Sequence, residues 1–313
     1  MLDVTPIQSV LDIFSRLPLS WIPLNLTKKI MMDVLSSGPV PGHLGLIMDG
    51  NRRFAKKRGV DSKQGHTAGA DSLTSILQCC FKLGIPEITV YAFSIENFSR
   101  PQEEIDDIFE LLTSRLAALI SSDESILKQY KIRVRVIGNK SLLPENVARD
   151  LTVVEEKSLF PDSQKILNIC TPYTSRDDIT NAIKTVAMKR KANGITREDI
   201  NTKVLDDNMY FGSESRPLDI LIRTSGHYRL SDFLLWQCTT KCSIEFVDTL
   251  WPDFKFLSLF LTLLKWSYYK QLEVNDKKIY KPVPKPEAKF VDINMLPQSP
   301  PFATIASREV NEE

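Results

Sequence analysis

Six short apolar segments, each followed closely by glycine or by polar and basic side chains, constrain this chain more than any other feature. They are Leu44–Met48, Ile88–Phe93, Ile132–Ile137, Ile166–Cys170, Asp219–Ile222 and Ile244–Val247. Their length suits strands, and helical patterns fill several of the intervals. Leu73, Ile76, Leu77, Cys80 and Phe81 recur with a period of about 3.6 residues until Gly84 ends the run. Pro101 with Glu103, Glu104, Asp106 and Asp107 puts acids at the electropositive start of a second helix. Its buried stripe is Ile105, Ile108, Phe109, Leu112 and Leu116. Ser175, with Asp178 following, predicts a capping box for a helix carrying Ile179, Ile183 and Val186. Such alternation predicts one α/β domain with a mostly parallel sheet of about six strands, covered by helices.

That domain is expected over residues 39–273 of 313, and an apolar content of 42% supplies a sizeable core. Residues 1–38 read as an extension of short amphipathic helices broken by Pro6, Pro18 and Pro23, with a basic step at Lys28 and Lys29. Such helices lie on a membrane surface or a partner; otherwise they cover the protein's own core. Residues 274–313 are rich in proline and charge and predict an extended tail. A net charge of +1 argues against bulk nucleic-acid binding. No apolar run reaches the roughly 18 residues of a membrane span, and no secretory signal is expected. Five cysteines without paired spacing suggest reduced thiols in a cytosolic environment, and Cys238 and Cys242 lack the second pair that zinc would need.

In an open parallel sheet, ligands bind beyond the carboxyl ends of the strands. Asp49, Gly50, Asn51, Arg52 and Arg53 follow the first segment there, and Ser94, Glu96, Asn97 and Arg100 follow the second. Gly138 and Asn139 follow the third, Pro172 and Tyr173 the fourth, and Arg223, Ser225, Gly226, Arg229 and Ser231 the fifth. Guanidinium groups match phosphate oxygens in pairs, and Gly50, Ser225 and Gly226 let backbone N–H groups approach an anion. Asp49 is the one acid after the first segment. Beside a phosphate site it suits Mg²⁺, which takes one or two carboxylates, waters and substrate oxygens. The alternative is an ion pair with Arg52 or Arg53. A phosphotransferase of the Asp-x-Asp kind is disfavoured because Asn51 occupies the second position. Neither a nucleotide P-loop nor a GxGxxG turn is present. His66, expected just before the first long helix, is placed to donate to a phosphate, or else is a polar residue at a helix start without a role. The apolar run Phe254–Trp266 and the stripe after Pro101 exceed what phosphate binding needs; core packing explains most of this surface, and a tunnel for a lipid tail would use the rest.

The segments HLGLIMDGNRRFAKKRGV, GHTAGADSL, VYAFSIENFSRP, LNICTPYTSRDDI, DILIRTSGHYRLSDFLLWQ and EFVDTLWPDF occur in this order over most of residues 43–254. Together they resemble the cis-prenyltransferases, and within them the eukaryotic dehydrodolichyl diphosphate synthase catalytic subunits. The resemblance implies successive condensation of isopentenyl diphosphate onto an allylic diphosphate such as farnesyl diphosphate. The product would be a long polyprenyl diphosphate for dolichol synthesis and protein glycosylation, its tail housed in an apolar tunnel. It implies that Asp49 holds Mg²⁺, that Gly50, Asn51, Arg52 and Arg53 cradle the allylic diphosphate beside Phe54, and that His66 touches diphosphate. Ser94, Ile95, Glu96, Asn97, Phe98 and Arg100 would orient the substrates, with Asn97 among the catalytic groups. Arg223, Arg229, Leu230 and Ser231 would bind isopentenyl diphosphate. The sequence departs from the family in four places. Ser62, with Lys63 alongside, replaces an arginine, and His227 replaces an acid. Ser243 stands where bacterial members carry a second metal-associated glutamate, with Glu245 two positions on. The end SREVNEE lacks the Arg-x-Gly element of homodimeric members, which implies a Nogo-B-receptor-like accessory subunit. Residence at the cytosolic face of the endoplasmic reticulum membrane, or on lipid droplets, is expected. A catalytically silent accessory subunit is the alternative reading.

Overall fold

A computed structural model of the chain describes residues 24–279 apart from 123, 124 and 193. Most of the predicted extension and tail lie outside the described residues. The elements alternate as the apolar segments predict. Helix α1 (Leu24–Ser36) precedes β1 (His43–Ile47), α2 (Asn51–Arg58), α3 (Ser62–Leu83) and β2 (Glu87–Tyr91). A short 3-10 turn, Ile95–Ser99, leads into α4 (Gln102–Ser121), α5 (Ile126–Tyr130) and β3 (Ile132–Ile137). Then come α6 (Glu145–Lys157), β4 (Lys165–Cys170), α7 (Ser175–Lys191), α8 (Thr202–Asp207), β5 (Ile220–Arg223), β6 (Ser243–Phe246) and α9 (Phe256–Ile279). The chain divides into compact units between Glu273 and Val274, and the first contains the whole sheet. Helix α9 runs on to Ile279, so the first residues assigned to the tail are helical.

All six strands are parallel, in the order β3-β4-β2-β1-β5-β6. Their side chains alternate between two faces. Leu44 and Leu46, Ile88 and Val90, Val134 and Val136, Leu167 and Ile169, and Ile220 and Ile222 all join the larger core. Helices α3, α4, α6 and α9 cover that face with Ile76, Phe81, Phe109, Leu116, Leu151 and Phe260. The opposite face carries Ile47, Cys170 and Leu221, packed on Tyr173, Phe211, Phe233 and Leu234. Polar strand residues on that side pair with one another. Thr89 Oγ1 meets His43 Nε2 at 2.7 Å, and Asn168 Nδ2 donates to Glu87 Oε1 at 2.7 Å.

Edge strand β3 is closed by side chains. Its outward N–H groups at Val134 and Val136 donate to Ser158 Oγ at 2.9 Å and Glu155 Oε1 at 2.7 Å. On α1, Met31 and Leu35 are buried in the main core, while Leu26, Ile30 and Val34 form an exposed apolar row. The described part of the extension therefore covers the protein's own core with one face. Gly84 stops α3 as expected, its N–H on Phe81 O at 3.2 Å. The predicted capping box at Ser175 is shifted by one residue. Thr174 is the cap, accepting from Asp177 N, and Ser175 Oγ instead accepts from Leu235 N at 2.9 Å. A capping box does form at Ser94, whose backbone N–H donates to Asn97 Oδ1 at 3.0 Å.

Candidate active site

The connections after β1, β2 and β5 meet at one edge of the sheet because those strands are neighbours or next neighbours there. Asp49 leaves β1 with its backbone fixed to the β5 loop. Its N–H donates to Thr224 Oγ1 at 3.1 Å, and that hydroxyl donates back to Asp49 O at 2.8 Å. Gly50 follows with φ 116°, and a Cβ there would lie 3.2 Å from the Leu250 backbone. This glycine lets the chain reverse into α2 with the first-turn N–H groups of Asn51, Arg52 and Arg53 at an anion-favouring helix end.

Arg223 is the hub. Its side chain is 3% exposed, and Nη2 donates to Asp49 Oδ2 at 2.7 Å. Nη1 donates to Ser231 Oγ at 2.7 Å and also to Arg229 O. Arg53 Nη2 donates to Ser225 O at 2.9 Å and lies 3.9 Å from Asp49 Oδ2. The expected ion pair of Asp49 with its near neighbours is thus supplied chiefly by Arg223. Burial pushes the Asp49 carboxyl upward, but hydrogen bonds from Arg223 and Ser225 and the charges of Arg223 and Arg53 hold it below the ordinary carboxylate range. The group is ionised at neutral pH.

Across the mouth, Asn51 Nδ2 lies 3.4 Å from His66 Nδ1, and His66 Nε2 lies 3.9 Å from Glu104 Oε1. Burial and the Arg100 charge lower the His66 pKa, with Glu104 opposing, so the imidazole is neutral at pH 7. Arg100 donates to Glu104 Oε1 at 2.7 Å, while Arg52 is 63% exposed and only 4.0 Å from Glu104. Gly69 lets α3 approach this cluster. A Cβ there would collide with the Asn51 carboxamide and lie 3.0 Å from Trp251 Cδ1.

These groups open into a cavity of about 1150 Å³. Its mouth holds Asp49, Gly50, Asn51, Arg52, Arg53, His66, Ser94, Glu96, Asn97, Arg100, Arg223, Arg229 and Ser231. Its interior is apolar, walled by Val90, Leu167 and Ile169 of the sheet, Leu73 and Leu77 of α3, and Ile108, Leu112, Leu116 and Leu119 of α4. A polar mouth with convergent cations that continues into a greasy channel suits an amphiphile with an anionic head and a long hydrocarbon tail.

This geometry agrees with the comparisons. Residues 47–272 match the prenyltransferase family described as undecaprenyl diphosphate synthase. A dehydrodolichyl diphosphate synthase complex subunit of Saccharomyces cerevisiae is 40% identical over 260 residues, 83% of this chain and 75% of the relative. The chain belongs to the cis-prenyltransferase family. A dehydrodolichyl diphosphate synthase complex subunit of Homo sapiens is 39% identical, over 79% of this chain and 74% of the relative. A crystal structure of lavandulyl diphosphate synthase from Lavandula x intermedia with dimethylallyl diphosphate superposes with a TM-score of 0.68. It is 29% identical and covers 73% of this chain and 95% of its own.

Within this cis-prenyltransferase fold, several expected residues lie elsewhere than the sequence suggested. Phe54, Ile95, Phe98 and Leu230 do not line the cavity. Phe54 stacks beneath Arg58, Phe98 packs on Phe93 with ring centroids 4.9 Å apart, and Leu230 packs on the smaller core. Ile95 donates its N–H to Tyr173 O at 3.4 Å. Lys63 is taken up by Asp107 at 2.8 Å and Glu110 at 3.1 Å on α4. Glu245 pairs with Lys265 at 2.7 Å, away from the cavity. Gly138 and Asn139 also stay outside it. The Phe254–Trp266 run packs into the core, chiefly through α9, as most of it was expected to, and the tunnel draws its helical wall from α3 and α4.

Sequence reasoning missed Tyr91, Arg176, Asp232 and Trp251 on the cavity wall. Tyr91 Oη donates to Tyr173 O at 3.1 Å and Ser231 O at 3.2 Å, fixing the Ser231 loop from below. Its place as the last residue of a strand whose other face is apolar was the available signal.

Two observations bear on a metal. Among the described residues no group of three or more His, Cys, Asp and Glu side chains forms a metal cage. Both guanidinium contacts of Asp49 fall on Oδ2, leaving Oδ1 without one. One ionised carboxylate beside a phosphate-binding rim fits Mg²⁺ held largely by substrate and water oxygens. Asn51 Oδ1, His66 Nε2 and Arg223 Nε are buried at this mouth without a hydrogen-bond partner among the described residues. A buried cluster of that kind marks a site built for a polar ligand.

Proposed function

We propose that this chain is the catalytic subunit of a dehydrodolichyl diphosphate synthase, a ditrans,polycis-polyprenyl diphosphate synthase. It condenses isopentenyl diphosphate repeatedly onto farnesyl diphosphate. The observation that carries the reading is the continuity of the Asp49–Arg53–Arg223 mouth with the apolar channel between the sheet, α3 and α4. The allylic diphosphate takes the first-turn N–H groups of α2, Arg52, Arg53 and the neutral imidazole of His66. The diphosphate of isopentenyl diphosphate takes Arg229, Ser231 and the unpartnered Nε of the buried Arg223 hub. Asp49 is the residue that would hold Mg²⁺, which when bound neutralises charge on the leaving diphosphate.

Breaking the allylic C–O bond loads negative charge onto the departing oxygens. Arg53 and Arg52 stabilise that charge where it grows, and Arg53, held on Ser225 O, is oriented before the reaction begins. Asn97 and Ser94, held by their capping box, orient the second substrate so that its double bond forms the new C–C bond at the allylic carbon, and the proton then shed passes to an oxygen of the departing diphosphate. The apolar wall excludes water from the allylic cation and receives the lengthening tail.

The alternative of a silent accessory subunit shares the fold. The catalytic reading is supported by the presence and convergence of Asp49, Arg53, Arg223, Arg229 and Ser231 at one mouth. The curated relatives are described as complex subunits. We extend that description to this chain, with a Nogo-B-receptor-like accessory subunit as companion. Lys28 and Lys29 and the exposed row Leu26, Ile30 and Val34 of α1 support contact with the cytosolic face of the endoplasmic reticulum membrane.

The test is product formation from isopentenyl and farnesyl diphosphates with Mg²⁺, by the full chain alone and with an accessory subunit. Long polyprenyl diphosphate is expected with the companion, and Asp49→Ala abolishes it without unfolding the chain. Undiminished turnover by Asp49→Ala removes the metal assignment. Full activity alone removes the companion, and no product in either case removes the catalytic reading.

A further inference from the structure

The first turn of α7 ties together two loops that reach the mouth from different strands. Arg176 lies on that turn and extends both ways. Its Nη2 donates to Glu96 Oε1 at 2.7 Å, on the 3-10 turn that carries Asn97. Its Nε donates to Asp232 Oδ2 at 2.7 Å, beside Ser231. The Arg176 backbone N–H donates to Asp232 Oδ1 at 3.2 Å, and the Ser175 N–H to Asp232 O at 2.7 Å. Arg176, Glu96 and Asp232 all line the cavity. Ser231 and Asp232 adopt left-handed backbone, with φ 52° and 58°. Residues with a Cβ keep that conformation only where their surroundings over-determine it.

We propose that Arg176 is a positioning residue for prenyl transfer, a strap that holds the Ser94–Arg100 loop and the Arg229–Asp232 loop at one separation across the mouth. The proposal rests on the prenyl-transfer reading above. Arg176 is 72% exposed, so neither arm stabilises the fold much in water. Its effect is geometric. Ser94 and Asn97 stand on one loop and Arg229 and Ser231 on the other, so a substrate held between them depends on their spacing. The planar guanidinium offers Nε and Nη2 as separate donors at a fixed angle. A lysine, a single point charge on a flexible stem, does not hold two carboxylates in this way.

The test uses the full chain with its companion subunit and the variants Arg176→Gln, Arg176→Lys, Asp232→Asn and the double Arg176→Gln/Asp232→Asn. The expected result for Arg176→Gln is a rise of about three- to tenfold in KM for isopentenyl diphosphate, with the thermal midpoint shifted by no more than about 2 °C. Lysine does not rescue it. The loss on removing Arg176 is smaller in the Asp232→Asn background, because one arm is already gone. Unchanged KM and kcat in Arg176→Gln, or full rescue by lysine, overturns the strap. Amide hydrogen exchange over residues 229–233 gives a second readout independent of turnover. Faster exchange in Arg176→Gln supports the strap even if the chain makes no product, in which case the prenyl-transfer reading alone fails. Unchanged exchange overturns the strap regardless of activity.

Discussion

Replacing Arg223 by methionine tests the site where its electrostatics and its architecture coincide. The stem keeps most of its packing, but three acceptors lose their donor: Asp49 Oδ2, Ser231 Oγ and Arg229 O. A hydrogen bond to an ionised carboxylate contributes about 1.5–3 kcal/mol and a neutral one about 0.5–1.5 kcal/mol. Two terms reduce the loss. The buried Arg223 Nε has no partner, so deleting it returns roughly 1 kcal/mol. Asp49 is 32% exposed and rehydrates in part. The net destabilisation at pH 7 is about 2–4 kcal/mol. The pH dependence carries the sharper test. In the wild type the folded Asp49 pKa lies below its unfolded value of about 3.9. Its contribution is therefore present above that value and lost as pH falls through the folded pKa. Without Arg223, burial, the largest single influence, is opposed only by Ser225 and Arg53, and the folded pKa rises. The variant's contribution is then present below about pH 4 and lost as pH climbs through the raised value. Urea unfolding followed by tryptophan fluorescence at pH 7 and near pH 4 should show a gap that narrows in acid. A gap under about 1 kcal/mol at pH 7, or one equally wide at both, refutes the reasoning.

Three further outcomes follow from the geometry. Gly69→Ala forces a methyl against the Asn51 carboxamide and Trp251, which costs about 1–3 kcal/mol in thermal unfolding and raises KM for the allylic substrate as Asn51 leaves His66. Leu116→Trp blocks the buried wall of the channel on α4, so mass spectrometry of the products should show shorter chains with little change in KM for isopentenyl diphosphate. The folded pKa of His66 lies below 6.5, so the unfolded chain takes the proton first and stability declines as pH drops through that region. His66→Gln should flatten this decline, measured by denaturant unfolding between about pH 5 and 7.

The strands, their parallel pairing and the helix cover were legible, though not the strand order, because apolar residues recur on periods that burial enforces. Leu44, Leu46, Ile88 and Val90 had to share a face, and they do. The cationic mouth was legible for a related reason. Asp49 and Arg53 follow one segment and Arg223 ends another, and the parallel pairing of the two sends these residues to one edge. Pairings between distant segments were not. Nothing near Arg176 in the sequence announces Glu96 and Asp232, which lie 80 and 56 residues away. Phe98 and Leu230 sit among residues that face the cavity, yet their side chains turn to aromatic and aliphatic packing, because a short turn sends neighbours in opposite directions. The Phe254–Trp266 run joins the core, as most of it was expected to, but which part could line a channel was not legible. Its apolar residues surround most of the helix, so period alone does not say whether it seals the core or lines a channel.

The two borders of the sheet are unequal. At β3, Ser158 and Glu155 have already answered the N–H groups of Val134 and Val136, so a foreign strand laid there would have to evict them. Among the described residues β6 has no such side-chain closure and is only partly buried, so that border, where Phe246 meets Tyr228 of the loop carrying Arg229, is the more open of the two.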